Sequence, residues 1–355
     1  MLSWDGLNRA ASFQRPGTKQ RLRLAKQGKE IPPKAYSVTS GANDPKVDFR
    51  AVARLLEDAA TLVIERIDQV HEPIGDLCRM LEAELGSDAD AFAFASWRET
   101  QGFPTHWDYE AGFILQLDGV KHWRVFAPER QYPTKQDFRN RHGKPPATPV
   151  WEGDLKPGDL LYMPGGWWHD ALAKTSRTLH VSLGTYPQTG VDLLDHLLQE
   201  LQDEENVRTP LPRFASESEQ QKYIEGLRSA VDAKLRSLTV ASVLQKFDAK
   251  AGARARLSLP WNAVQDDIPP EAWVHWLVPR SINLEKTSGD EITFEAVNDK
   301  ITIAAIALPL IEDLAKRRKA QFRELRSAHP TLPVDAILLG LVSAGLIAIA
   351  DSPVI

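Results

Sequence analysis

The sequence predicts an α+β chain: a double-stranded β-helix, then a helical segment, then a small winged-helix unit. Three observations carry this. Between residues 91 and 184, short apolar strands alternate with glycine turns and no crossover helix intervenes, the pattern of a jelly roll of two small sheets. Residues 190–250 read as all helix, with leucines at helical spacing. Beyond residue 255 a hairpin is followed by two helices. The implied boundaries are 1–187 for the barrel with its N-terminal arm, 188–254 for the helical segment and 255–355 for the last unit.

A length of 355 residues suits two or three domains. Apolar and charged fractions of 43% and 26% are those of a soluble globular protein. No apolar run reaches the about 18 residues of a membrane span, and the N-terminus lacks the basic-then-apolar pattern of a signal peptide. The single cysteine, Cys78, excludes an internal disulfide and fits a reducing cytoplasm; it reads as core. A net charge of −5 gives no sign of nucleic-acid binding.

In chain order, the first forty residues are basic (Arg15, Lys19, Arg21, Arg23, Lys26, Lys29, Lys34) and read as a solvated arm, or as a lid favouring an acidic partner. Residues 20–25 alternate polar and apolar as a strand, and 26–29 turn. Asp44-Pro45 reads as a helix start for Phe49, Val52, Leu55 and Leu56. Residues 61–67 are a short strand. A helix over 73–85 sets Leu77, Met80, Leu81 and Leu85 on one face and stops at Gly86. Strands follow at 91–97, 113–117 and 121–126, the last two joined by an Asp118-Gly119 turn. Residues 128–150 read as a loop, 160–163 as a strand and 179–184 as the end of a further strand pair.

After residue 187, Leu193, Leu194, Leu197, Leu198 and Leu201 make an apolar stripe, and Ser216 with Glu219 has capping-box spacing before Ile224, Leu227, Val231 and Leu235. Such stripes could pack on each other or on a partner subunit; so thin a helical layer has little core of its own, which favours a helical dimerisation segment and a homodimer. A hairpin over 291–304 turns at Asn298-Asp299. A charged helix is expected over 308–327, with the basic run 316–319 on its solvated face. A second helix spans 334–344 and a strand 346–350.

The chemistry lies in the barrel. His106 and Asp108 are two residues apart at a strand end, so both side chains project to one side. Gly158, Pro164, Gly166 and His169 have the spacing of a cupin glycine turn, which brings a histidine beside a metal. Two imidazoles and one carboxylate form the facial ligand set of non-haem Fe(II) oxygenases. His169 is the expected third ligand, and His180, mid-strand, is its rival. His122, His142 and His196 have no partner spacing. Lys121, one hairpin strand beyond the His-x-Asp pair, can point into the same barrel. A buried lysine needs an anion, and a dicarboxylate cosubstrate would supply one. Trp107, Trp123, Trp167 and Trp168 are candidates for the pocket wall, with an aromatic core the favoured role for each taken alone.

These residues carry a resemblance. The segment from Gln101-Gly-Phe-Pro-Thr-His-Trp-Asp to Phe113-Ile-Leu-Gln-Leu-Asp-Gly-Val-Lys-His-Trp-Arg-Val-Phe, with Thr178-Leu-His-Val-Ser later, resembles the ribosomal-oxygenase branch of the JmjC/cupin-like 2-oxoglutarate hydroxylases. The order of barrel, helical dimerisation segment and winged helix also matches. The resemblance implies a homodimeric enzyme that uses Fe(II), 2-oxoglutarate and O2 to hydroxylate a side chain of a protein, with ribosomal proteins as the known substrates. It carries His106, Asp108 and His169 over as iron ligands and Lys121 as the cosubstrate anchor. Phe92, Phe94 and Gly184 stand where some relatives have polar residues, with Ser96 and Ser182 as nearby replacements. Three alternatives stay open: a hydroxylase of a small molecule or biosynthetic peptide, a metal-binding cupin of other chemistry, and a regulator that binds nucleic acid through residues 255–355.

Overall fold

The computed structural model describes the chain apart from residues 14–21, 40–44, 98–99, 140–142, 253–256, 265–266, 281, 283–284, 287–289 and 354–355. Arg15, Lys19, Gln20, Arg21, Asp44 and His142 therefore lie outside the described residues. The chain folds as two compact units, Met1–Tyr186 and Pro187–Pro353.

The first unit runs α1 (Trp4–Ser12), β1 (Leu22–Lys26), β2 (Lys29–Glu30), β3 (Ser37–Thr39), β4 (Pro45–Val47), α2 (Phe49–Glu57), β5 (Thr61–Ile64), α3 (Glu72–Leu85), β6 (Asp88–Trp97), β7 (Ala111–Asp118), β8 (Lys121–Phe126), α4 (Lys135–Arg139), β9 (Trp151–Leu155), β10 (Leu160–Met163), β11 (Trp168–Ala173) and β12 (Arg177–Tyr186). Seven strands form the larger sheet in the order β10-β7-β12-β6-β5-β1-β2, and β11-β8-β9 form the smaller one. Both sheets are antiparallel, the jelly-roll arrangement.

Alternation along the strands sorts the side chains of the larger sheet. Ala91, Ala93 and Ala95 of β6, with Leu179, Val181 and Leu183 of β12, share one buried core with Leu7, Ile74 and Cys78 of the helices. Phe92, Phe94, His180 and Ser182 face the other way, into a cavity also lined by Lys121 and Trp123 of the smaller sheet.

Several expectations are corrected. The described part of the N-terminal arm is built into the barrel: Leu7 and Ala10 of α1 are buried, and β1 pairs with β5. Helix α2 does not start at Asp44-Pro45. Asp48 caps it, its Oδ1 accepting from the N–H groups of Arg50 (3.0 Å) and Ala51 (3.2 Å), while Pro45 opens a strand paired with β3. On α3, Ile74 and Cys78 face the core, and Met80 and Leu85 are exposed. The 128–150 loop contains α4.

In the second unit, α5 (Gly190–Leu201), α6 (Glu205–Arg208), α7 (Glu217–Ser237) and α8 (Val240–Lys250) precede a mixed region. That region contains β13 (Trp273–Trp276), β14 (Glu285–Lys286), β15 (Glu291–Ala296), β16 (Asp299–Ala304), α9 (Leu308–Arg317), β17 (Lys319–Gln321), α10 (Phe322–Ala328), α11 (Val334–Ser343) and β18 (Ile347–Ala350). Its sheets are β17-β13-β18 and β14-β15-β16, and one apolar core joins them to the helices.

The Ser216–Glu219 capping box forms as the spacing predicts. Leu197 and Leu201 are buried, but Leu194, Leu198, Ile224, Val231 and Leu235 are exposed. The β15–β16 turn sits at Val297-Asn298, whose φ angles of +54° and +60° suit a tight hairpin. The helix expected over 308–327 breaks at Arg318, which takes φ +65° and lets Ala320 pair with Val274 of β13. The basic run thus ends a helix and starts a strand. Arg318 donates to Val278 O and Lys319 to Pro353 O, each at 2.8 Å. Among the described residues no helix is long and apolar enough to cross a membrane.

Candidate metal centre

The loop entering β7 lies antiparallel against the start of β11. His106 N–H donates to His169 O (3.0 Å), and His169 N–H returns to His106 O (2.7 Å). This bridge sets the two imidazoles side by side, with ring centroids 4.5 Å apart. Asp108 Oδ2 stands 3.6 Å from Nε2 of each ring. One donor atom from each of the three residues lies within 4.8 Å of the others.

Each Nδ1 meets a backbone carbonyl, Pro104 O for His106 (2.8 Å) and Trp167 O for His169 (3.0 Å). A carbonyl only accepts, so Nδ1 carries the proton and Nε2 keeps its lone pair facing Asp108. Burial, then the neighbouring His106, pushes the His169 pKa down to about 4, so its ring is neutral at pH 7. Two imidazole lone pairs beside a carboxylate fit a divalent transition-metal ion.

The glycine turn allows the close approach. Gly166 takes φ +85° and donates to Asp108 O (2.7 Å), and a Cβ on Gly165 would stand 2.5 Å from Tyr109 O. Gly165→Ala is expected to push the two ligand segments apart. Mn(II) affinity should fall about tenfold or more, as for a lost supporting contact. Stability should fall by about 1–3 kcal/mol. Calorimetric titration and thermal melts measure the two effects, and unchanged Mn(II) affinity would remove the turn from the site.

A buried carboxylate ties the same segments together. Asp170 accepts from Arg124 Nε (2.8 Å) and Nη2 (2.7 Å) and from Thr105 Oγ1 (2.6 Å). Thr105 precedes one candidate ligand and Asp170 follows another, so this clamp braces both.

Lys121 is buried at the start of β8. Its Nζ is 3.3 Å from Ser96 Oγ, 3.4 Å from His180 Nδ1 and 5.9 Å from the Trp123 ring centre. Among the described residues no carboxylate pairs with it, and burial pushes its pKa down to about 7. A cavity of about 440 Å³ joins it to the His106–Asp108–His169 cluster. Ser182, Phe92, Phe94 and Gly184 line that cavity, whereas Ser96 reaches it through Lys121 and bonds Thr61 Oγ1 (3.1 Å).

The structure does not group His180 with the other two histidines; it lies beside Lys121 instead. His122 pairs with Asp154 (2.7 Å) and His196 with Glu200 (3.2 Å). Of the tryptophans, only Trp123 lines the cavity. Trp107 and Trp168 pack with Phe126, and Trp167 packs on the core around Ile114. Sequence reasoning missed the Thr105–Asp170–Arg124 clamp. Arg124 and Asp170 are cross-strand partners, so the signal lies in the β8–β11 register, which residue spacing does not contain.

Residues 67–193 match the family model of the JmjC domain. A Drosophila persimilis protein named bifunctional lysine-specific demethylase and histidyl-hydroxylase NO66 is 35% identical over 136 residues, 38% of this chain and 20% of that protein. Human ribosomal oxygenase 1 is 32% identical over 206 residues, 54% of this chain and 31% of that protein. The chain thus spans under a third of the length of either relative. YcfD, a ribosomal oxygenase from Escherichia coli, shares the fold over 98% of this chain and 90% of that one, with a TM-score of 0.60 at 19% identity. Another structure of YcfD, in complex with cobalt and 2-oxoglutarate, aligns with a TM-score of 0.58 at 19% identity. Residues 67–193 of this chain are therefore similar to the JmjC domain, and the fold is that of the YcfD structures.

Proposed function

We propose that this chain is an Fe(II)- and 2-oxoglutarate-dependent oxygenase that uses O2 to hydroxylate a side chain of a protein or peptide. The observation that carries the reading is Lys121. It is a buried ammonium with no carboxylate partner among the described residues, in the cavity that also holds two imidazoles and a carboxylate. Such a lysine calls for an anion from outside.

His106, Asp108 and His169 would hold the iron through two Nε2 atoms and a carboxylate oxygen. Lys121 would pair with the far carboxylate of 2-oxoglutarate, with Ser96 holding the ammonium and Ser182 offering a hydroxyl from the wall. When bound, iron and 2-oxoglutarate supply the oxidising chemistry by which O2 gives a hydroxylated product, succinate and CO2. The protein's share is to orient these groups and to keep water out. Phe92, Phe94 and Trp123 make the cavity wall apolar around the charged ends. The relatives named ribosomal oxygenases and histidyl-hydroxylase direct the substrate reading towards a ribosomal protein.

The test is succinate release from 2-oxoglutarate by the Fe(II)-loaded protein under air. A loaded protein that yields no succinate, with or without ribosomal protein, would sink the reading in favour of other metal chemistry.

We further propose that residues 188–254 are a dimerisation segment and 255–355 a winged-helix-like unit, in a cytoplasmic homodimer. The exposed leucines on α5 and the exposed apolar residues on α7 support the first. The three-stranded sheet with α9, α10 and α11 supports the second. A monomeric mass by light scattering would exclude the dimer.

A further inference from the structure

We propose that His180 is a positioning residue for the Lys121 anion site. Its Nδ1 and the Ser96 hydroxyl each take one N–H of the ammonium, so the third N–H is presented to the cosubstrate carboxylate. This rests on the oxygenase reading above.

An ammonium has three donors and no acceptor. Two of them are engaged, by Ser96 Oγ at 3.3 Å and His180 Nδ1 at 3.4 Å. As an ammonium the lysine can only donate, so in that form Nδ1 is the acceptor nitrogen and the ring proton sits on Nε2. Burial, then the charge of Lys121, holds the His180 pKa well below its ordinary value, so the ring is neutral and has a lone pair to offer.

The ring is fixed on two sides. It stacks on Phe94, with centroids 4.8 Å apart and planes 2° from parallel. It also meets Trp123 nearly at right angles, at 5.5 Å and 83°. The pairing of β12 with β6 sets His180 against Phe94, so the stack is written into the strand register. Ser96, for its part, is anchored by Thr61 Oγ1 at 3.1 Å. Lysine has a flexible stem, and its ammonium needs such brackets to hold one direction. Without the imidazole, Ser96 would be its one hydrogen-bond acceptor among the described residues.

The experiment loads wild type, His180→Phe and His180→Gln with Mn(II) and titrates each with 2-oxoglutarate by calorimetry. Phenylalanine keeps a ring against Phe94 and removes the acceptor; glutamine returns an acceptor oxygen. Mn(II) affinity is expected to stay at the wild-type level in both. The Phe variant should bind 2-oxoglutarate about tenfold or more weakly, as for a lost hydrogen bond to a charged group. The Gln variant should recover most of that loss. In turnover, KM for 2-oxoglutarate should rise while kcat stays near wild type. Wild-type affinity in the Phe variant overturns the assignment.

Wild type that binds Mn(II) but no 2-oxoglutarate overturns the oxygenase reading instead, so the two failures differ. Should the Phe variant not fold, nitrogen NMR of histidine-labelled wild type decides. An Nε2–H tautomer whose Nδ1 signal moves on Lys121→Met supports the proposal, and an Nδ1–H tautomer overturns it.

Discussion

Lys121→Met is expected to abolish measurable 2-oxoglutarate binding and, at the same time, to stabilise the cosubstrate-free protein. Both effects come from one buried charge. Removing the cationic half of a buried ion pair costs affinity by about a hundredfold or more. In the free protein the same charge is a burden. Burial takes its pKa from 10.5 to about 7. The sign follows from proton counting. Below pH 7 folded and unfolded lysine are both protonated, and the destabilisation is fully present. Between pH 7 and 10.5 the unfolded chain binds more protons, so stability rises with pH and the penalty fades. The penalty at low pH is on the order of 4 kcal/mol, reduced by whatever relaxation lets water reach the ammonium. Methionine removes it at every pH.

The same shift is expected to make 2-oxoglutarate binding pH-dependent. Binding requires the protonated lysine, so affinity should weaken about tenfold per pH unit above 7 and level off below it. Titrations at three pH values, with melts of the free protein, measure both effects. A methionine variant that binds 2-oxoglutarate normally would remove Lys121 from the cosubstrate site.

His106→Ala and Asp108→Ala are each expected to cost more than about 100-fold in metal affinity, and turnover with it. Loss of a mere supporting partner of a ligand already costs about 10–100-fold. Loss of a donor from a three-residue set should exceed that. His180→Ala is the matched control, because it faces Lys121 and lies outside the cluster. It should retain the metal. Mn(II) titration separates the two classes of variant, and metal loss in His180→Ala with retention in His169→Ala would reverse the ligand assignment.

Much of the barrel is legible in the sequence because its signals are local. β8 and β10 are readable to the residue: one follows an Asp118-Gly119 turn and the other a Pro157-Gly158-Asp159 turn. The His-x-Asp pair and the glycine turn are likewise short-range patterns. What spacing hides is non-local or electrostatic. Asp48 outcompetes Asp44-Pro45 as a cap because β4 draws Pro45 into a strand. Arg318 breaks a strongly helical stretch because β17 gains a partner in β13. Lys121 and His180 are 59 residues apart and meet only when the two sheets face each other.

The backbone bridge between His106 and His169 has one more consequence. The segments that carry the two imidazoles are tied by two main-chain hydrogen bonds, which involve neither ring. Metal entry there would order little additional chain, unlike at sites whose ligands come together only around the ion. On the oxygenase reading, supply of the ion rather than refolding would then set when the protein starts to work.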